Sequence, residues 1–156
     1  MPYYMHKPDK PRAKPTGKDG GQRSSANLRR RLDKVFSRYI RLRDAMPSGF
    51  FRCIACGQIK PISQADCGHY HSRTHTATRW DEDNCHAECR YCNRFRADHL
   101  IGYRENLVRK IGQQRFDMLA VRAGTTSQLS AFVLESLIKY YTEKVGALRR
   151  EKGIRI

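Results

Sequence analysis

Two pairs of cysteines bound the most informative stretch of the chain, residues 53–93, which has the sequence CIACGQIKPISQADCGHYHSRTHTATRWDEDNCHAECRYCN. Cys53 and Cys56 form the first pair, Cys89 and Cys92 form the second, and 32 residues separate the pairs. Two residues between paired cysteines let both thiolates of a tight turn reach one ion, and two such turns complete the tetrahedral shell that zinc prefers. The spacing therefore predicts a structural zinc site, because a closed shell of four thiolates leaves no position for water.

The composition favours an intracellular protein with a polyanionic partner. The 156 residues include 31 Lys and Arg against 15 Asp and Glu, a formal net charge of +16. This balance predicts binding to nucleic acid or to an anionic membrane. We favour DNA and expect no membrane binding, because the amphipathic helices are expected to pack in a core rather than on lipid. No apolar run reaches the length of about 18 residues that a transmembrane helix needs, and residues 1–15 are not typical of a secretory signal. We expect a cytoplasmic protein, whose cysteines bind metal rather than form disulfides.

The pattern along the chain predicts an α+β protein with one domain at residues 25–156. A disordered basic tail is expected at residues 1–24, where four of the six prolines lie. Apolar residues at helical spacing predict an N-terminal helix within residues 25–46. Residues 50–104 are predicted to form a zinc-bound core of turns and short strands, and residues 105–150 the C-terminal helices. The helices are expected to end near Gly112 and at Gly124, and Ser127 is the expected N-cap of the last one.

A second group of polar residues lies between and just after the cysteine pairs. His69 is expected at a strand end, Asn84 precedes the second pair, and Asn93 follows its last cysteine. This order resembles the HNH, or ββα-metal, nuclease motif. The wider stretch from about 39 to 122 resembles the lambdoid-phage NinG (Rap) recombination endonuclease family. The matching positions are Tyr-Ile-Arg-Leu-Arg-Asp at 39–44, Cys-Ile-Ala-Cys-Gly at 53–57, Gly-His-Tyr at 68–70, Arg79, Asn84, His86, Cys89, Cys92-Asn93 and Tyr103-Arg104.

The resemblance implies a treble-clef-like ββα-metal core, encoded by a phage or prophage and acting in the bacterial host cell. The implied activity is metal-dependent, structure-selective endonuclease cleavage of branched recombination intermediates, such as Holliday junctions and D-loops. His69 fits the general base, because imidazole titrates near neutral pH and the motif places the base here. Asn84 corresponds to the residue that orients the base. Arg79 is expected to stabilise charge on the pentavalent phosphate.

Gly68 departs from the motif, since many HNH enzymes carry a metal-binding Asp or His immediately before the base. Alternate residues of a strand share a face, so Asp66 is expected to reach the ion from two positions upstream. We favour Asp66 and Asn93 as ligands, with His86 as the competing choice. Such an oxygen-rich shell suits Mg²⁺ or Mn²⁺.

The remaining cysteines, Cys67 and Cys85, allow two interpretations. They could join His69, His71 or His86 in a second zinc site, or they could be packing thiols. We favour packing thiols.

The basic residues suggest how DNA is bound. Residues 28–44 carry seven basic residues against two acidic ones, which suits contacts to phosphates rather than bases. A homodimer through the long C-terminal helix and contacts with recombination proteins are further expectations. The alternatives are a non-catalytic zinc-ribbon accessory protein that binds DNA, and an HNH nuclease with another role. The predicted phosphate contacts are Arg29, Arg30, Arg41, Arg94 and Arg96.

Overall fold

The computed structural model describes residues 24–156, so the tail predicted at residues 1–24 lies outside it except for Ser24. The described part is a mixed α+β structure with two small antiparallel sheets, in agreement with the predicted class. Two short 3-10 helices at Ile62–Gln64 and Thr76–Thr78 lie in the loops. The other elements are α1 (Ser25–Asp44), β1 (Phe50–Arg52), β2 (Ile59–Pro61), β3 (Ala65–His69), β4 (Cys85–Cys89), α2 (Arg90–Phe95), α3 (His99–Ile111), α4 (Gln113–Ala123) and α5 (Ala131–Lys152).

Helix α1 is the scaffold of the molecule and corresponds to the predicted N-terminal helix. The Ser24 side chain caps it by accepting a hydrogen bond from the backbone N–H of Asn27. Its apolar stripe is buried against α5, where the rings of Phe36 and Tyr141 pack edge to face at 4.9 Å. At its C-terminus the Lys152 ammonium donates to the backbone carbonyls of Leu42, Arg43 and Ala45. The last turn of α5 therefore fixes the end of α1.

The two hairpins and α2 place the cysteine pairs beside each other. Strand β1 pairs with β2, and β3 pairs with β4 in a register that sets Asp66 opposite Glu88 and His69 opposite Cys85. Every residue of β4 is buried, because α1 packs against this hairpin. Helix α2 follows β4 without a connecting loop. The second cysteine pair therefore lies where β4 passes into α2.

The C-terminal helices agree with the sequence pattern except at one cap. Helices α3 and α4 end before Gly112 and Gly124 as predicted, and Gly112 takes a positive φ of 83°. The predicted cap at Ser127 is wrong, because the Ser130 side chain caps α5 by accepting from Val133 N–H. Ser127 instead lies in the loop before α5 and donates its backbone N–H to the Thr76 hydroxyl at 2.8 Å. Among residues 24–156, no helix is both long and apolar enough to cross a membrane.

Candidate metal centre and active-site cleft

The four cysteines of the two pairs converge on one point. The Sγ atoms of Cys53, Cys56, Cys89 and Cys92 all lie within 4.8 Å of one another. Tetrahedral zinc with bonds of about 2.3 Å needs sulfur atoms about 3.8 Å apart, so these residues fit the ion. A positive φ of 71° at Gly57 closes the first turn, and the Cys89 N–H donates to the Cys53 sulfur at 3.3 Å. All six cysteines lie in the described part, and none forms a disulfide.

A cleft of about 560 Å³ opens beside this centre, between α1, β3 and α2. Three of the residues predicted to form the site line it, namely Asp66, His69 and Asn93. These residues are far apart in the sequence, and the β3–β4 hairpin and the helix α2 that directly follows β4 bring them to one cleft. The residues lining the cleft are Asp33, Phe36, Ser37, Asp66, Cys67, His69, Ser72, Arg73, Trp80, Asn93, Arg94 and His99.

His69 occupies the last position of β3, and its ring is held by the following loop. Its Nε2 lies 3.0 Å from the backbone carbonyl oxygen of Arg79. A carbonyl oxygen only accepts, so this contact places the proton on Nε2 and the lone pair on Nδ1. Burial lowers the pKa of His69 below its usual value, so the ring is neutral at pH 7. A neutral, fixed imidazole in an open cleft can accept a proton.

Asn84 is fully buried, and its side chain connects two parts of the loop between β3 and β4. Its Oδ1 accepts from the His71 N–H at 2.7 Å, and its Nδ2 donates to the carbonyl oxygens of His71 and Thr78 at 2.9 Å. These bonds go to the loop and not to the ring of His69. Asn84 therefore fixes the segment of the loop that leads to the Arg79 carbonyl.

The Arg79 side chain and His86 lie differently from the other predicted site residues. The Arg79 guanidinium pairs with Asp33 at 2.6 Å, and only its backbone carbonyl contacts His69. His86 is buried in a separate network, where Nδ1 accepts from Arg43 at 2.9 Å and Nε2 donates to the Asp83 carbonyl at 3.2 Å. Neither side chain lines the cleft.

Asp66 and Asn93 are in direct contact. Asn93 Nδ2 donates to Asp66 Oδ2 at 3.1 Å, and Arg94 forms a fork on both carboxylate oxygens at 2.7 and 2.9 Å. The Arg94 side chain is 54% exposed. The carboxylate of Asp66 and the amide oxygen of Asn93 are the hard oxygen ligands that Mg²⁺ and Mn²⁺ prefer, so this pair fits a divalent ion by its chemistry.

Glu88 and His99 belong to the same region but were missed from the sequence. Glu88 Oε1 lies 2.6 Å from His99 Nδ1, while Oε2 is buried without a hydrogen-bond partner among residues 24–156. Its carboxylate fills the space of the side chain that Gly68 lacks, since a Cβ at Gly68 would overlap Oε2 and lie 2.8 Å from the Glu88 Cβ. The sequence signal for this pair was Glu88 itself, a charged residue that stands between two apolar residues of the buried strand β4.

The arginines predicted to bind DNA lie in two places. Arg29 and Arg30 are exposed in the first turns of α1, whereas Arg41 is half-buried and donates to the Ser37 carbonyl. Arg94 and Arg96 are exposed on and just after α2, paired with Asp66 and Asp98.

The fold and the site define a small α+β protein with a four-cysteine cluster that could hold a metal ion and with a polar cleft. The chain belongs to the NinG family, since the family model described as "Bacteriophage Lambda NinG protein" matches residues 7–151. It is 41% identical to the protein ninG of Escherichia phage 933W over 68 residues, which cover 42% of this chain and 32% of that protein. It is 40% identical to protein ninG of Escherichia phage lambda over 68 residues, with the same coverage.

Protein ninG of Salmonella phage P22 is 41% identical to the chain over 63 residues, which cover 38% of this chain and 30% of that protein. The chain thus spans about a third of the length of the curated relatives it matches. No solved structure matches it.

Proposed function

We propose that the protein is a metal-dependent DNA endonuclease of the HNH type, selective for branched recombination intermediates such as Holliday junctions and D-loops. The observation that carries the proposal is the composition of the cleft. It brings a neutral histidine together with a carboxylate and amide pair, on a hairpin followed directly by a helix. A general base, ligands for a hard cation and room for a phosphate are what phosphodiester hydrolysis requires.

His69 acts as the general base in this proposal. The Arg79 carbonyl holds the proton on Nε2, so Nδ1 takes the proton of a water that attacks the scissile phosphorus. As the proton moves to Nδ1, the imidazolium gains a stronger hydrogen bond to the same carbonyl. Asn84 is a positioning residue, because it fixes the loop that carries this carbonyl.

Asp66 and Asn93 are the residues that would hold Mg²⁺ or Mn²⁺. When bound, the ion would stabilise the negative charge on the phosphate and on the departing 3′ oxygen. Arg73 and Arg94 also line the cleft and offer positive charge to the phosphate. Arg79 remains the predicted alternative, although its guanidinium would first have to leave Asp33.

Branch selectivity is supported by the exposed face of α2. Tyr91 and Phe95 are 68% and 76% exposed, and their ring centroids lie 6.5 Å apart, next to the cleft residues Asn93 and Arg94. Exposed aromatic rings flanked by arginines are suited to stacking on unpaired bases. A branch point offers unstacked bases, whereas a continuous duplex does not. The exposed arginines of α1 add contacts to phosphates.

The test is cleavage of matched DNA substrates by protein loaded with one equivalent of zinc. Linear duplex, single strand, flap and four-way junction of shared sequence are incubated with Mg²⁺ or Mn²⁺, and in parallel without either ion. We expect cutting of branched substrates that requires the added ion. Binding to junctions without cutting would favour a non-catalytic zinc-ribbon accessory protein. Equal cutting of all duplexes would favour an HNH nuclease with another role.

A further inference from the structure

The face of the β3–β4 hairpin that carries His69 also carries two cysteines outside the four-cysteine centre. Cys67 lies two positions before His69 on the same face of β3, and Cys85 lies directly opposite His69 on β4. The ligand atoms of Cys67, His69 and Cys85 all lie within 4.8 Å of one another. The hairpin register therefore builds a compact group of two thiols and one imidazole.

This group differs from the four-cysteine centre in its number of protein ligands, which is three instead of four. Three protein ligands leave the fourth tetrahedral position for water or another ligand, whereas four cysteines leave none. Cys67 and His69 both line the cleft, while Cys85 is fully buried behind them. Metal can thus enter from the cleft. Thiolates and imidazole select zinc over the hard ions Mg²⁺ and Mn²⁺.

Simple packing does not require this combination of residues. A packing thiol needs only apolar neighbours, but Cys67 is half-buried at the wall of a polar cleft. The Cys85 thiol donates to the Arg79 carbonyl at 3.7 Å, the same oxygen that holds His69. The three residues therefore converge beside one shared backbone group.

We propose that Cys67, His69 and Cys85 form a second zinc site, and that filling it switches off the nuclease. The inhibitory part rests on the proposed function of His69 as the base. When zinc binds, the two thiols release their protons to solvent, and one imidazole nitrogen takes the metal while the other keeps its proton. A metal-bound imidazole has no free lone pair, so it no longer accepts a proton from water. Zinc and base catalysis are then mutually exclusive at His69.

The site itself is tested by zinc stoichiometry, which needs no activity. Reduced full-length protein is dialysed against excess zinc, and bound metal is measured per chain. We expect two zinc ions for the wild type and for the matched control His71→Gln, and one for Cys67→Ala and for the double variant Cys67→Ala, Cys85→Ala. Cys67 is half-buried, so its single variant provides the result if loss of the buried Cys85 prevents folding. One zinc ion in the wild type, or two in a folded Cys67→Ala variant, would overturn the site.

The inhibition is tested separately, by junction cleavage in Mg²⁺ with one and then two equivalents of zinc. We expect the second equivalent to lower the wild-type rate by about 10²-fold or more, the effect of losing a base. Cys67→Ala should cut equally well at both zinc levels. Two bound zinc ions with undiminished cutting would overturn the inhibitory role. Two bound ions without cutting under any condition would refute the proposed nuclease and leave the zinc site standing.

Discussion

Asp44, the last residue of α1, joins that helix to β4 and α3. Its carboxylate accepts from the Ala87 N–H at 2.8 Å, from Arg43 at 2.9 Å and from Lys110 at 3.0 Å. Burial opposes its charged form, but the hydrogen bonds and positive charge of Arg43, together with the charge of Lys110, outweigh burial and hold the pKa well below the usual range. The stretch 39–44, part of the family resemblance, therefore ends in a residue that holds the hairpin in place.

Changing Asp44 to Asn should destabilise the protein by about 3 kcal/mol, because two cationic side chains lose their buried counter-charge. The measurement is denaturant unfolding at pH 7. Asp98→Asn is the matched control, since it breaks an exposed pair with Arg96 and should leave stability nearly unchanged. Equal effects of the two variants would contradict the role given to Asp44.

The free energy of unfolding of Asp44→Asn should also depend on pH differently from that of the wild type. The folded-state pKa of Asp44 is depressed, so its stabilisation is present above the unfolded pKa of about 3.9 and is lost as pH falls below that value. The stability of Asp44→Asn should therefore fall less steeply between about pH 5 and pH 3 than that of the wild type.

Some residues of the candidate site could be predicted from the sequence, and others could not. The spacing of His69, Asn93 and the four cysteines was informative, because ligand geometry limits the distances between such residues. The orphaned carboxylate oxygen of Glu88 was not predictable, since it depends on the space that Gly68 leaves across the hairpin. The contacts of Arg79 were not predictable either. Its carbonyl, and not its guanidinium, contacts His69, because the guanidinium pairs with Asp33 from another part of the chain.

At the scale of elements, apolar spacing located the helices, and glycines located the ends of α3 and α4. The start of α5 was misplaced because two serines, Ser127 and Ser130, can each cap a helix. The choice is made by the contact of Ser127 with Thr76, which lies 51 residues earlier in the chain. A contact of this kind has no local sequence signal.

Helix α3 packs closely on the first cysteine turn, and Gly102 makes the approach possible. A Cβ at position 102 would overlap the carbonyl oxygen of Ala55, which is backbone and has little room to move. Gly102→Ala should therefore destabilise the protein by about 1–3 kcal/mol in thermal or denaturant unfolding.

Gly146 in α5 provides the control for this variant. A Cβ there meets only the flexible Arg150 side chain at 3.5 Å, so Gly146→Ala should stabilise the protein by about 0.5–1 kcal/mol. A neutral or stabilising Gly102→Ala would contradict the close packing of α3 on the cysteine turn.

The exposed rings of α2 give a prediction about branch selectivity. Replacing Tyr91 and Phe95 together with Ala should weaken junction binding by about tenfold or more, because stacking contributes about 1–3 kcal/mol per base. Affinity for linear duplex should change little. Phe132→Ala is the control, since Phe132 is equally exposed, at 77%, on α5. Equal losses on junction and duplex would count against stacking at the branch point.

At the scale of the whole molecule, several carboxylates are already paired with arginines. Asp81 and Asp83 pair with Arg122, and Asp33 pairs with Arg79. These pairs neutralise cations inside the fold, whereas Arg29 and Arg30 stay exposed on α1. Within residues 24–156, the positive charge that is not neutralised inside the fold therefore includes groups that contact solvent, such as Arg29 and Arg30.

Exposed arginines of this kind should bind DNA through counterion release. The double variant Arg29→Ala, Arg30→Ala should lower the slope of log K against log salt by about 0.9 for each phosphate that the protein no longer neutralises. The measurement is a salt titration on two junctions of identical shape and different sequence. Parallel changes on both junctions are expected, and a weakening confined to one sequence would show that these residues bind bases.

The central claim is that His69 is the general base of a nuclease, and junction cleavage by a His69→Ala variant tests it most directly. Protein loaded with one equivalent of zinc is assayed under single-turnover conditions in Mg²⁺, beside the wild type and His71→Gln. The account predicts that His69→Ala lowers the cleavage rate by about 10² to 10⁴, with junction affinity and zinc content unchanged, while His71→Gln cuts normally. Wild-type cutting by His69→Ala would contradict the account.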